Sequence, residues 1–167
     1  IAQHARQYNI RVGLEPLNRF ETNFLNRHDQ ALKLAEDVGM DNVGVCLDAF
    51  HINIEEADPY QAILNTGSQL VDFHVADNTR FPPGGGAIDW QKMIATLKQA
   101  GYEGWITSEF VVPLDRSPLA VKDEDSGTTA TDAELKFIRD HGSGLMSDAA
   151  YSKHVENTIK HLRASGA

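Results

Sequence analysis

The chain has little cysteine, no clustered positive charge and no long apolar run. Cys46 is its one cysteine, so it has no internal disulfide framework and suits a reducing cytoplasm. Lys and Arg number 15 against 24 Asp and Glu, a net charge of −9, and the basic residues are scattered. Nucleic-acid binding needs basic groups to displace counterions from phosphate, so nucleic acid is not an expected partner. No apolar stretch approaches the ~20 residues of a membrane helix. The opening Ile1-Ala2-Gln3-His4 has no basic segment leading into an apolar one. Neither a membrane span nor a signal peptide is therefore expected.

What is present is ordinary globular composition, with 41% hydrophobic and 23% charged residues in 167. Four apolar runs, at residues 10–17, 43–50, 70–76 and 104–111, read as strands. Helical periodicity follows at 28–39, 55–64, 88–100 and 148–164, with Gly39 as a C-cap and Pro59 tolerable only in a first turn. Ile1, Ala5 and Tyr8 also fall at helical spacing. Strand and helix thus alternate four times, which predicts a parallel sheet with right-handed crossovers. Residues 113–147 read as a polar insertion between the last strand and the final helix, with a short helix at 133–140. The whole chain reads as one domain.

Each predicted strand ends in a group with chemistry: Glu15, Asp48, His74 and Glu109. In parallel α/β folds that end of the sheet is where ligands bind. Singly, each has a structural explanation. Asp48 suits a helix cap, His74 a core histidine, and Glu15 or Glu109 an Arg partner. Together they crowd three carboxylates, which raise one another's pKa unless a cation is present. Three carboxylates and an imidazole suit one divalent ion, Mn²⁺ first, with Mg²⁺ or Co²⁺ as alternatives. Having no thiolate, the set does not favour a closed structural zinc site. Glu21, His51 and Arg80 follow the first three strands, beside this end, and suit a polyhydroxylated ligand. Phe81-Pro82-Pro83-Gly84-Gly85-Gly86 lacks the Walker pattern and reads as a flexible loop beside the site.

Several segments together resemble the ketose 3-epimerases. They are Leu14-Glu15-Pro16-Leu17-Asn18-Arg19-Phe20-Glu21, Leu47-Asp48-Ala49-Phe50-His51-Ile52-Asn53-Ile54-Glu55-Glu56, His74 with Arg80, and Ser108-Glu109-Phe110. D-tagatose and D-psicose 3-epimerases are members of this family, which belongs to the xylose isomerase-like TIM-barrel group. The resemblance implies that Glu15, Asp48, His74 and Glu109 bind the metal. It implies that Glu15 and Glu109 are also the acid/base pair, on opposite faces of the sugar, and that Glu21, His51 and Arg80 hold its oxygens. The implied reaction epimerises a ketose at carbon 3 through a metal-stabilised enediolate. Returning the proton to the neighbouring carbon makes an aldose–ketose or hydroxypyruvate-type isomerase the alternative. An endonuclease IV-like repair enzyme and a silent sugar- or metal-binding remnant rank lower. Asp77 and Thr79 stand where these epimerases usually read Glu and Asn.

The resemblance also bears on architecture. A complete (β/α)₈ barrel takes ~250 residues, and only four βα units are visible here. The expected fold is the C-terminal half of a TIM barrel, strands 5–8. The other half is then expected to be absent from this sequence or supplied by another chain, and by analogy a homo-oligomer is expected.

Overall fold

The computed structural model describes residues 1–111, 132 and 148–167. The insertion read at 113–147, with its short helix at 133–140, lies outside the described residues apart from Asp132. Strands β1 (Val12–Leu14), β2 (Val43–Asp48), β3 (Leu70–Val75) and β4 (Trp105–Ser108) form one parallel sheet in sequential order. The helices are α1 (Ala2–Arg6), α2 (His28–Val38), α3 (Ala49–Glu55), α4 (Pro59–Thr66), α5 (Trp90–Gln99) and α6 (Asp148–Ala164). Among the described residues no strand pairs with the outer edge of β1 or β4.

Side chains alternate along a strand, so each strand offers one set to the helices and another to the opposite face. On the helix side Val45, Leu47, Phe73 and Val75 pack with Ala31, Ile63, Met93, Ile94 and Leu97, all buried. The opposite face carries the polar partners of that alternation, Cys46 and Asp48 on β2 and Asp72 and His74 on β3. Register aligns their ends: Asp48 lies opposite His74, and His74 opposite Thr107. A shift between Val45 and Cys46 adjusts β2 against β3 on the way.

Local signals explain where the elements stop. Gly39 closes α2 at φ 64°, its N–H donating to the Ala35 carbonyl at 3.1 Å; this left-handed geometry suits glycine. The one helix expected at 55–64 is instead two. The Asp48 carboxylate accepts from the Phe50 N–H at 2.7 Å and starts α3 directly at the strand end. Asp58 then accepts from the Tyr60 and Gln61 N–H groups, with Pro59 at the first helical position of α4. These are a side-chain N-cap and a proline placed where no N–H is needed. β1 and β4 are shorter than their apolar runs, so Glu15 and Glu109 stand just beyond their strands.

Candidate metal and substrate site

The four strand-end residues converge. Glu15, Asp48, His74 and Glu109 each offer a ligand atom, and these atoms all lie within 4.8 Å of one another. His74 Nδ1 lies 2.6 Å from Glu109 Oε2 and 3.2 Å from Glu15 Oε1. Its other nitrogen, Nε2, lies 3.5 Å from Asp72 Oδ2, and Asp72 in turn accepts from the Thr107 hydroxyl at 2.9 Å. One imidazole nitrogen faces the carboxylate cluster while the other faces a carboxylate behind it. An imidazole metal ligand is commonly oriented in this way. The donor set therefore fits a hard divalent cation on its own chemistry, three carboxylates and one oriented histidine.

The electrostatics match that crowding. Hydrogen bonds with Cys46, Glu109 and Glu15 raise the His74 imidazole well above the usual histidine range. The His74 hydrogen bond in turn holds Glu109 below the usual carboxylate range, against its partial burial. Asp48 is fully buried, and burial pushes its carboxyl upward while the Arg80 guanidinium pulls it back. Arg80 Nη1 donates to Asp48 Oδ2 at 2.9 Å, and Nη2 lies 3.5 Å from Glu109 Oε1. The guanidinium also sits 4.7 Å above the Phe50 ring. Arg80 is thus a partly buried wall of the site.

His51 lies in the first turn of α3, one helical turn from the Asp48 cap. Its Nδ1 accepts from the Asn18 backbone N–H at 3.1 Å, and the Asn18 side-chain nitrogen is 2.9 Å away. An N–H group only donates, so in the neutral ring Nε2 carries the proton. Burial and then Arg80 hold His51 below its usual range, favouring that neutral ring. Nε2 faces Arg80 Nη1 at 3.4 Å. Two donors side by side make a site for an oxygen acceptor. Glu21 is held through Asn18, whose Nδ2 donates to Glu21 Oε1 at 2.8 Å, and its residue remains exposed.

Two contributors were given no role from the sequence. Asn18 is buried and links Glu21 to His51. Asp77 is fully buried and accepts from the Asn78, Gly84 and Ile88 N–H groups and from Trp90 Nε1. Its carbonyl accepts from the Arg80 N–H at 2.8 Å, and Arg80 itself holds φ at 62°. The glycine-rich loop at 81–86, read as flexible, is tied to Asp77 at Gly84, and the chain just beyond it is tied at Ile88. Gly86 presses on Asp77 and Asn78 so closely that a Cβ there would collide with both side-chain oxygens.

Residues 1–141 match the family described as xylose isomerase-like TIM barrel. The chain belongs to this family. Its four-stranded parallel sheet is part of such a barrel, as the sequence led one to expect. The ketose 3-epimerase of Arthrobacter globiformis is 38% identical over 109 residues, 65% of this chain and 38% of that protein. The D-psicose 3-epimerase of Agrobacterium fabrum is likewise 38% identical over 109 residues, with the same coverage. Among solved structures, D-psicose 3-epimerase with D-tagatose from Clostridium cellulolyticum H10 superposes with a TM-score of 0.75 at 27% identity. That match covers 98% of this chain and 52% of the other. The 3-keto-D-glucoside 4-epimerase of E. coli gives 0.65 at 28% identity, over 75% of this chain and 48% of the other. The chain thus spans a little over a third of these curated relatives and about half of these solved barrels. No helix among the described residues is long and apolar enough to cross a membrane.

Proposed function

We propose that this xylose isomerase-like chain carries the metal and acid/base centre of a sugar epimerase that inverts carbon 3 of a ketose. The observation that carries the reading is the convergence of Glu15, Asp48, His74 and Glu109 within 4.8 Å at the strand ends. Relatives named ketose 3-epimerase, D-psicose 3-epimerase and L-ribulose 3-epimerase support the substrate class.

Glu15, Asp48, His74 and Glu109 would hold one divalent ion, with Mn²⁺ the first expectation and Mg²⁺ or Co²⁺ as alternatives. Bound there, the ion would supply Lewis-acid stabilisation of the charge that develops on the sugar's oxygens. The protein's part is positioning and proton transfer. Glu109, just beyond the end of β4, would take the proton from the carbon beside the carbonyl. Glu15, which meets the same His74 nitrogen as Glu109, would give the carboxylic-acid proton it carries in this step to the same carbon from the opposite face, and the centre inverts. Each positioned acid/base group contributes ~10²–10⁴-fold. The donors Arg80 and His51 Nε2 bind a sugar oxygen beside the cluster, and Glu21 accepts from a hydroxyl farther out.

The test is product analysis with D-fructose, D-tagatose and L-ribulose, and with their phosphates, each in the presence of Mn²⁺. The reading predicts the C3 epimer. An aldose product would instead assign proton return to the neighbouring carbon, and inversion at carbon 4 would move the reacting centre along the sugar.

A further inference from the structure

The face of the sheet that carries Asp48 also carries Cys46, two residues earlier on β2, and the proposed mechanism does not use it. Cys46 is buried, at 5% exposure. Its sulfur lies within 4.8 Å of ligand atoms of both Glu15 and His74, which together make a second donor cluster. Gly13 faces it without a side chain; a Cβ there would come within 3.1 Å of Cys46 Cβ. The two clusters share Glu15 and His74. They differ in that one is completed by the oxygens of Asp48 and Glu109 and the other by sulfur.

Ligand softness separates what each would take. Oxygen-rich sets suit Mn²⁺ and Mg²⁺, whereas thiolate selects softer ions such as Zn²⁺, and Cd²⁺ by the same softness. We propose that Glu15, Cys46 and His74 form a thiolate-containing site for Zn²⁺ or Cd²⁺ that overlaps the oxygen-rich centre and excludes Mn²⁺ from it. The thiol gives its proton to solvent as the sulfur–metal bond forms, with no change of oxidation state. Glu15 and His74 serve one cluster at a time, so occupation by a soft ion removes two ligands from the other. This exclusion rests on the metal centre proposed above; the thiolate site itself does not.

The probe is Cd²⁺ alone, added to the purified protein. Cys46 is the one cysteine of the chain, so any thiolate-to-metal charge-transfer band in the ultraviolet reports on it. The wild type is expected to develop that band at one equivalent. Cys46→Ser and Cys46→Ala are expected to lose it. Removing a direct ligand is expected to weaken Cd²⁺ binding by at least the about 10- to 100-fold typical of losing an outer partner. Mn²⁺ binding, followed separately by the signal of free Mn²⁺ in electron paramagnetic resonance, is expected to persist in both variants. Cd²⁺ is expected to release Mn²⁺ from the wild type at lower concentration than from the variants. A wild type without the band, or a band surviving in Cys46→Ala, overturns the site. A band without any Mn²⁺ binding supports the thiolate site and instead refutes the oxygen-rich centre.

Discussion

Replacing Asp77 by Ala perturbs the site from a distance, and the structure sets the size of the effect. The carboxylate has no solvent exposure and accepts four hydrogen bonds, at 2.9 Å from Asn78 N, 2.9 Å from Gly84 N, 3.1 Å from Ile88 N and 2.9 Å from Trp90 Nε1. Gly84 is exposed and regains water when the acceptor is gone. Trp90 is 3% exposed and does not. A buried donor left unpaired costs about 1–3 kcal/mol, and a hydrogen bond to a charged group contributes about 1.5–3 kcal/mol. One stranded indole N–H and partial loss at Ile88 and Asn78 therefore give roughly 3–5 kcal/mol. At about 2–4 °C per kcal/mol for a chain of this size, the melting temperature should drop by roughly 6–20 °C. Urea melts of the wild type, Asp77→Ala, Trp90→Phe and the double variant isolate the indole contact as a coupling energy. Trp90→Phe removes the donor together with its need for an acceptor and should cost less than Asp77→Ala. A loss below about 1 kcal/mol for Asp77→Ala, or no coupling to Trp90, would refute the staple. The main-chain carbonyl of residue 77 that holds the Arg80 N–H stays in the variant but loses the side-chain anchor beside it, so the variant should also raise KM for sugar more than it lowers kcat.

Other outcomes follow from the same geometry. Leu47→Ala should cost about 2–5 kcal/mol in the same melts, because the side chain is fully buried between sheet and helices. Asp48→Asn keeps an oxygen to cap Phe50 but removes the charge facing Arg80. Mn²⁺ affinity measured by calorimetry should fall at least about 10- to 100-fold, while the helical circular dichroism stays as in the wild type. His51 is held below the usual 6.5 by burial and then by Arg80, so the folded protein favours its neutral form. The stability from this group is complete above the unfolded value and is lost as pH falls through the lower folded value. His51→Gln should flatten that acid-side loss in urea melts run across the range, and an unchanged slope would count against it.

The strands and most helices were legible because burial on a parallel sheet leaves compact apolar runs, and amphipathic helices leave a three-and-four spacing. The strand-end residues were legible for the same reason: once the strands are placed, their ends are too. α3 was not. Phe50, Ile52 and Ile54 alternate with polar residues, a spacing without helical periodicity, and the Asp48 cap that starts the helix carries no periodicity either. Asp77 stood in a polar loop, where only the donors that fold around it give it a role. Cys46 and Asp72 carried a usable signal, since each lies two residues before a strand-end group and so on the same face of its strand. Read as a lone thiol, Cys46 spoke only about compartment.

The central claim is that the strand-end glutamates move a proton on and off one carbon of a ketose. The measurement is nuclear magnetic resonance of D-fructose incubated with the protein and Mn²⁺ in deuterated water, locating the deuterium and the configuration it enters with. The account predicts deuterium at carbon 3 with the inverted sugar accumulating, and neither in Glu15→Gln or Glu109→Gln. Deuterium confined to carbon 1, or undiminished exchange at carbon 3 in both variants, would contradict it.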